Sequence, residues 1–567
     1  ECMRTVNIGA QGFAKLRESG CFYVDKTNFI KEWWEAADDV TLITRPRRFG
    51  KTLNMSMLEC FFSLGYAGRT DLFEGLSVWN YEKYRKLQGT WPVIFITFAH
   101  AKADNFKDVR KQICSEIFRQ YQMRTFLLEG DTLSDAEKEI FNAVRQDMDN
   151  VDASESIGNL CMWLSRYYGK NVIVLLDEYD TPMQEAYVSG YWNELTSFFR
   201  SLFNSTFKTN PYLERGIMTG ITRVSRESVF SDLNNLKVIT TTSTRYAESF
   251  GFTEQEVFDA LDEMEMSDMR SDVKKWYDGF TFGDKHDIYN PWSVINLLDE
   301  RRFGTYWANT SSNSLIDRLI RQGGPEIKQI MEDLLAGKSF MCRIDEQIVF
   351  DQLEDDANAV WSVLLASGYL KVVNRPEMKF ADTGGTDYEL SLTNLEVKLM
   401  FENLIEKWFR GGNSRYNDFL KALMLCDIRA MNRFMNETAL ATFSYFDTGN
   451  GASEYAEPER FYHGFVLGLM VDLRDRYVLT SNRESGFGRY DIMLEPLRSG
   501  DNAYIIEFKA IDIDEEKDLN EAAEAALRQI KEKNYDALLK SKGIQSDKIK
   551  HYAFAFEGKK VLVMQDA

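Results

Sequence analysis

No uninterrupted apolar run in this chain approaches the roughly 18 residues that a membrane-spanning helix needs, so the sequence reads as that of a soluble protein. The first residues carry no basic-then-apolar leader pattern, and a start at Glu1 reads as a trimmed beginning. Cysteine is sparse: Cys2, Cys21, Cys60, Cys114, Cys161, Cys342 and Cys426 stand singly, with no CxxC pair. An odd count without metal-ligand spacing argues against a disulfide scaffold and for a reducing, cytoplasmic setting. Basic charge is in deficit as well, with 68 Lys and Arg against 88 Asp and Glu and a net charge of −20. That argues against a general polyanion-binding surface. It leaves room for a local basic groove, because phosphate contacts need only a patch.

What is present is apolar mass. The chain has 567 residues, 44% of them hydrophobic and 13% aromatic, which is too much for one core and fits roughly three or four domains. Short apolar runs alternate with helical patterns over the first half: Leu42–Thr44, Val93–Ile96, Val172–Leu176, Gly216–Thr219 and Val238–Thr240. Near-continuous apolar strands separated by helices indicate a parallel sheet covered on both faces. Ligands in such sheets sit at the carboxyl ends of the strands.

At the end of the first run stands Arg45-Pro46-Arg47-Arg48-Phe49-Gly50-Lys51-Thr52. It fits a phosphate-binding loop except at its first position, where Arg45 replaces the usual Gly. Strand, loop and helix in that order set backbone N–H groups and a helix N-terminus around a polyphosphate. Lys51 is then expected at the β/γ-phosphates and the Thr52 hydroxyl in the Mg²⁺ shell. The third run ends in Asp177-Glu178; the first carboxylate is the candidate to orient Mg²⁺ and the second to polarise the attacking water. The fourth run is expected beside it, bringing Thr219 to the water or γ-phosphate, with Thr222 next. Arg223 and Arg226 are candidates for neutralising transition-state charge, with surface arginines as the plain alternative. Arg47 and Arg48 touch phosphate or pair with acidic neighbours.

Tyr23-Val24-Asp25-Lys26-Thr27, the Arg-Pro-Arg-Arg-Phe-Gly-Lys-Thr loop and Leu176-Asp177-Glu178-Tyr179-Asp180 resemble the AAA-ATPase-like family found in gut and other anaerobic bacteria. Trp276-Tyr277-Asp278-Gly279-Phe280 and Tyr289-Asn290-Pro291-Trp292-Ser293 are similar to its downstream signature. In that family an arginine at the first loop position is usual. By analogy the Tyr23–Thr27 segment lies near the base. The resemblance covers roughly residues 4 to 310 and implies ATP and Mg²⁺ as cofactors.

From about Glu254 to Arg343 the pattern is helical. Trp276 to Trp292 is dense in aromatics, Gly and Pro, which suits a structured turn packing one subdomain onto another; base stacking is the alternative. Phe350 to Asn374 reads as a helix followed by a strand and, with Tyr388 to Leu392, as a small winged-helix-like module.

Near the C-terminus, Gly488-Arg489-Tyr490-Asp491-Ile492-Met493-Leu494 is an apolar strand carrying one acid, and Ala503-Tyr504-Ile505-Ile506-Glu507-Phe508-Lys509 follows after a turn. Period-2 alternation puts Glu507 and Lys509 on one face, and Asp491 on the partner strand can face them. Two carboxylates and an ammonium on one patch are costly to bury unless they pair or hold a metal. The pattern resembles the PD-(D/E)XK nuclease superfamily. The resemblance implies Mg²⁺ at Asp491 and Glu507, assistance by Lys509, and an auxiliary Gln529 on a following helix that ends before Tyr535. Glu484 is a further candidate carboxylate. His463, in Phe461-Tyr462-His463-Gly464-Phe465, reads as a packing residue ahead of a catalytic one.

The expected architecture is therefore α/β: a phosphate-loop parallel sheet (1–250), a helical subdomain (251–343), a helical, winged-helix-like linker domain (344–442) and a restriction-endonuclease-like domain (443–567). The expected function is a nucleotide hydrolase coupled to a Mg²⁺-dependent nuclease, with DNA ahead of RNA as substrate and, by resemblance, a role with foreign DNA. The alternatives are a nucleotide-switched module that binds nucleic acid or protein without cutting, and a ring-forming protein-remodelling ATPase. A homo-oligomer is left open.

Overall fold

The five side chains of Val40–Thr44 (β1) are all buried, which is why an unbroken apolar and β-branched run was needed there. A computed structural model describes residues 4–223, 229–310, 313–346, 353, 356–374, 386–410, 415–446, 456–482 and 489–566. The chain divides into two compact units, Glu1–Ser311 with Met341–Val397, and Ser312–Phe340 with Lys398–Ala567.

In the first unit β1 is joined by β2 (Val93–Thr97), β3 (Val172–Asp177), β4 (Leu213–Gly220) and β5 (Leu236–Ile239). The sheet order is β2-β3-β4-β1-β5 and every pairing is parallel. Parallel neighbours require crossovers, and the helical segments between the strands supply them. β4 lies between the strand that feeds the Arg45–Thr52 loop and the strand that ends at Asp177. Register pairs Thr44 with Gly220 and Leu176 with Met218, so the ends of all three strands meet at one edge.

Two small sheets follow in this unit. β6 (Phe252–Thr253), β7 (Phe280–Phe282) and β8 (Lys285–Tyr289) form the order β6-β8-β7. The aromatic-dense segment is thus a hairpin between two helices. Its Phe280 and Phe282 rings lie 4.6 and 5.7 Å from Phe49 of the loop. The second sheet combines β9 (Phe340–Ile344), β10 (Leu370–Asn374) and β11 (Thr386–Leu392) in the order β10-β11-β9, with helix Ala357–Ala366 preceding β10.

The second unit holds β12 (Tyr477–Asn482), β13 (Arg489–Pro496), β14 (Ala503–Ala510), β15 (Ile549–Glu557) and β16 (Lys560–Gln565) in that spatial order. Only the β14–β15 pair is parallel, and helix Leu519–Lys533 falls between those two strands in the chain. Alternation decides the two faces. Ala503, Ile505, Ala553 and Ala555 face Ala522, Ala523, Ala526 and Ile530 of that helix. On the even-numbered face, Phe508, Phe554 and Phe556 pack with Phe461, Tyr462 and Phe465 of helix Ala456–Asp472. Edge strand β16 is covered rather than bare. Asn432 and Asn436, one turn apart, each donate to and accept from its main chain, at Val563 and Val561, over 2.7–3.0 Å. An unprotected edge would invite pairing with another chain.

Among the described residues no helix is long and apolar enough to cross a membrane.

Candidate active sites

The first site is the edge where β1, β3 and β4 end. Gly50, at φ +84°, makes the left-handed turn that starts helix Lys51–Phe62. Lys51 is buried, and its ammonium donates to the loop's own carbonyls, Arg45 O at 3.1 Å and Pro46 O at 2.7 Å. Burial lowers its pKa, against the pull of Glu178, Asp177 and Asp180. The Thr52 hydroxyl donates to Asp177 Oδ2 at 2.6 Å and the Thr219 hydroxyl to Oδ1 at 2.5 Å. One carboxylate at the end of β3 thereby fixes side chains from the loop helix and from β4. Burial raises the Asp177 pKa, and both hydroxyls oppose it.

Glu178 takes a left-handed backbone, φ +51°, which is uncommon outside glycine and small polar residues. The Thr181 hydroxyl donates to its carboxylate at 3.1 Å. Asp180 follows two residues on. It is 1% exposed, and its Oδ2 accepts from Ile221 N, Thr222 N and the Thr222 hydroxyl at 2.8–3.0 Å. It ties the turn after β4 to the turn after β3. Its signal was present as the last residue of the Leu-Asp-Glu-Tyr-Asp run.

The loop's arginines are spent on protein. The Arg45 guanidinium is fully buried and donates to Thr44 O, Thr240 O and Tyr246 O at 2.9, 2.9 and 3.4 Å; burial pushes its pKa down to about 9. Placing Arg45 at the phosphates is therefore corrected for its side chain: only its main chain is left to face a ligand, because the guanidinium's donors go to interior carbonyls. Arg47 donates to the Thr310 hydroxyl at 2.8 Å, to the Tyr369 hydroxyl and to Trp307 O at 3.2 Å. Arg48, at φ +62°, stacks 4.4 Å over Trp292. These contacts of Arg47 and Arg48 are to carbonyls, hydroxyls and aromatic faces, and the Arg47 charge also acts on buried Glu396. Pro46 packs beside Gly368, and Phe49 is buried against Phe280.

Arg223 lines a small cavity with Thr44, Thr240, Thr241 and Glu346. In the Tyr23–Thr27 segment, Asp25 accepts from Thr27 and Ser77 and Lys26 pairs with Glu256 at 2.7 Å, so these polar groups tie the irregular segment ahead of helix Asn28–Ala36 to distant parts of the chain. Arg226 lies outside the described residues.

The second site is on the odd-numbered face of the C-terminal sheet. Asp491 and Glu507 are register partners on β13 and β14, which puts their side chains on one face, and Lys509 follows two residues on. All three are at most 4% exposed. The Tyr535 hydroxyl donates to Asp491, and the Lys533 ammonium stands 3.5 Å from the same oxygen. Tyr535 in turn accepts from Asn482 at 2.5 Å. Lys509 forms an ion pair with Glu516. Gln529 is half-buried on helix Leu519–Lys533, one turn ahead of Lys533.

Glu516 and Lys533 were missed from sequence. Lys533 was findable, since it follows Gln529 by four residues on one helix face. Glu516 closes the run Asp512-Ile513-Asp514-Glu515-Glu516, which reads as solvent-facing charge. His463 packs 4.3 Å from Tyr490, whose hydroxyl donates to buried Glu332. Glu484 lies outside the described residues.

The donor sets fit the groups implied. A buried ammonium over bare carbonyls suits a polyphosphate, and a hydroxyl with a carboxylate, or two carboxylates on one face, offers the hard oxygens that Mg²⁺ prefers. Two segments of the sequence match known families. Residues 7–230 match the family model of predicted AAA-ATPases, and residues 457–566 match the PD-(D/E)XK nuclease superfamily. The chain thus carries an AAA-ATPase-like domain and a C-terminal PD-(D/E)XK nuclease superfamily domain. It is also 26% identical over 555 residues, 94% of either chain, to an uncharacterized protein in the vnfD 5′ region of Azotobacter chroococcum mcd 1.

Proposed function

We propose that this protein binds and hydrolyses ATP in its N-terminal domain, residues 1–250, and cleaves phosphodiester bonds of nucleic acid, DNA ahead of RNA, in residues 443–567. The observation that carries the reading is the pairing of Asp491 with Glu507 in register, with Lys509 on the same face and all three buried. Burying two carboxylates side by side is unfavourable without a cation, and a metal-binding role supplies the reason for keeping them.

In the N-terminal site Lys51 binds the β/γ-phosphates, exchanging two loop carbonyls for phosphate oxygens. Thr52 and Asp177 would hold Mg²⁺. Thr219 keeps Asp177 aligned, and Glu178 orients the attacking water. In the C-terminal site Asp491 and Glu507 would hold Mg²⁺, which supplies charge neutralisation at the scissile phosphate. Lys509 presents an ammonium there, and Tyr535 with Lys533 fixes the Asp491 carboxylate. Nucleotide state controls the nuclease in this reading, and foreign DNA is the substrate it would meet in a cell.

The test is a panel of end-labelled DNA and RNA substrates with Mg²⁺ or Mn²⁺, with and without ATP. Cleavage by the full chain that falls to a small residual rate in Asp491→Ala and Lys509→Ala, while ATP binding persists, is the expected result. Cleavage undiminished by both substitutions removes the assignment. Tight binding without cleavage under either metal would instead favour a nucleotide-switched binding module.

A further inference from the structure

At their side chains Lys509 is 2% and Glu516 is 7% exposed, and the two are in direct ammonium–carboxylate contact. Glu516 comes from the acidic turn that follows β14. Its second oxygen accepts the Asp512 amide at 2.8 Å, while its own amide donates to the Asp512 carbonyl at 2.7 Å. These reciprocal bonds close a ring that locks the carboxylate to the main chain. The ring is anchored in turn, because Ile511 N donates to Phe556 O at 2.8 Å and Ile511 is part of the sheet's apolar core.

A buried ion pair gains little or nothing in stability over apolar side chains of similar volume. This one stands on the face that carries Ala503, Ile505, Ala553 and Ala555 as well as Asp491 and Glu507. Its location gives it a use: Lys509 is two residues from Glu507, and Glu507 opposes Asp491. Lysine is a flexible four-carbon stem ending in a point charge, so its ammonium needs an anchor to hold one place.

We propose that Glu516 is the positioning residue of this site, fixing the Lys509 ammonium on the face shared by Asp491 and Glu507 so that it meets a phosphodiester bound there. The inference rests on the nuclease reading above. Glu516 acts through the lysine, since one of its oxygens is held by the Asp512 amide and the other by Lys509.

The experiment uses the full chain, with Glu516→Gln and Glu516→Ala alone and in a Lys509→Ala background. Glutamine keeps an acceptor for the Asp512 amide and removes the charge. Three results are expected together: kcat for DNA cleavage falls about 10²-fold, the scale of a misplaced catalytic group; KM for DNA holds; and Mn²⁺ affinity measured by calorimetry is unchanged. Glu516→Ala adds no further loss to Lys509→Ala. A multiplicative loss in the double variant, wild-type kcat in Glu516→Ala, or lost Mn²⁺ binding in Glu516→Gln each overturns the proposal, the last by making Glu516 a metal ligand. A wild-type chain that cuts nothing fails the nuclease reading instead. The pair is then read from thermal unfolding. Glu516→Gln and Lys509→Met each lower Tm by several degrees, and the double variant recovers most of it; additive losses overturn the pairing.

Discussion

Trp307 and Arg47 grip each other twice: the indole N–H donates to the Arg47 carbonyl at 2.9 Å, and the Arg47 guanidinium lies 4.6 Å over the indole ring. The same guanidinium also reaches the Thr310 and Tyr369 hydroxyls. The Arg45–Thr52 loop is thereby clasped from outside the parallel sheet. Arg47→Ala breaks the stacking and these hydrogen bonds at once, each worth on the order of 1 kcal/mol. The expected outcome is a Tm lowered by several degrees, checked by calorimetry. An unchanged Tm would show that the clasp contributes nothing to stability.

Lys51 and Glu178 should separate binding from turnover. Hydrogen bonds to charged groups contribute about 1.5–3 kcal/mol, so Lys51→Ala is expected to weaken ATP affinity roughly 10- to 100-fold. Glu178→Gln is expected to keep affinity within about 3-fold and to lower phosphate release by about 10²-fold or more. Fluorescent-nucleotide titration and a phosphate-release assay read the two. If Glu178→Gln loses binding and Lys51→Ala does not, the roles assigned at this edge are reversed.

Gly220 tests the packing of the same edge. A Cβ there would lie 2.6 Å from both Asp180 Oδ1 and Tyr179 Cε1, and neither neighbour is free to retreat: Asp180 holds the turn after β4, and the Tyr179 hydroxyl donates to Thr222 O at 2.6 Å. Gly220→Ala should destabilise by about 1–3 kcal/mol, measured by denaturant unfolding of the N-terminal transition. A neutral substitution would mean that this edge yields more easily than its contacts indicate.

Glu396 predicts a pH dependence. It is fully buried and accepts from Ser293 Oγ, Trp307 N and Ala308 N. Burial outweighs those donors and pushes its pKa from 4.5 up to about 7. An acid whose folded pKa lies above its unfolded value keeps its proton longer when folded, so its contribution is complete below pH 4.5 and is lost as pH rises to about 7. Wild-type Tm should therefore fall across that window relative to Glu396→Gln, and the difference should be flat above it. Parallel Tm curves for the two proteins between pH 4.5 and 7 would refute the assignment.

The fold was legible where one physical rule dominated. Val172–Asp177 could only be a buried strand, and the antiparallel strands carrying Asp491 and Glu507 follow from alternation and a turn. Legibility ended where a residue's partner is distant in the chain. Nothing in Arg45 or Arg47 announces that their guanidinium groups meet Thr240, Tyr246, Thr310 and Tyr369, because those contacts span 195 to 322 positions. Glu516 was hidden differently. Acidic runs normally face water, and only a reverse turn brings this one's last member under a helix to Lys509. The hairpin at Phe280–Tyr289 was read as a turn because its strands are three and five residues long, too short for alternation to show.

The buried guanidinium of Arg45 bears on any attempt to rebuild this loop. Exchanging that arginine for the glycine found in ordinary nucleotide-binding loops would hollow out the space beneath the sheet end, and leave the Thr240 and Tyr246 carbonyls without that donor. The familiar glycine-first version cannot simply be transplanted onto this scaffold; its host would need a new filling where the arginine now sits.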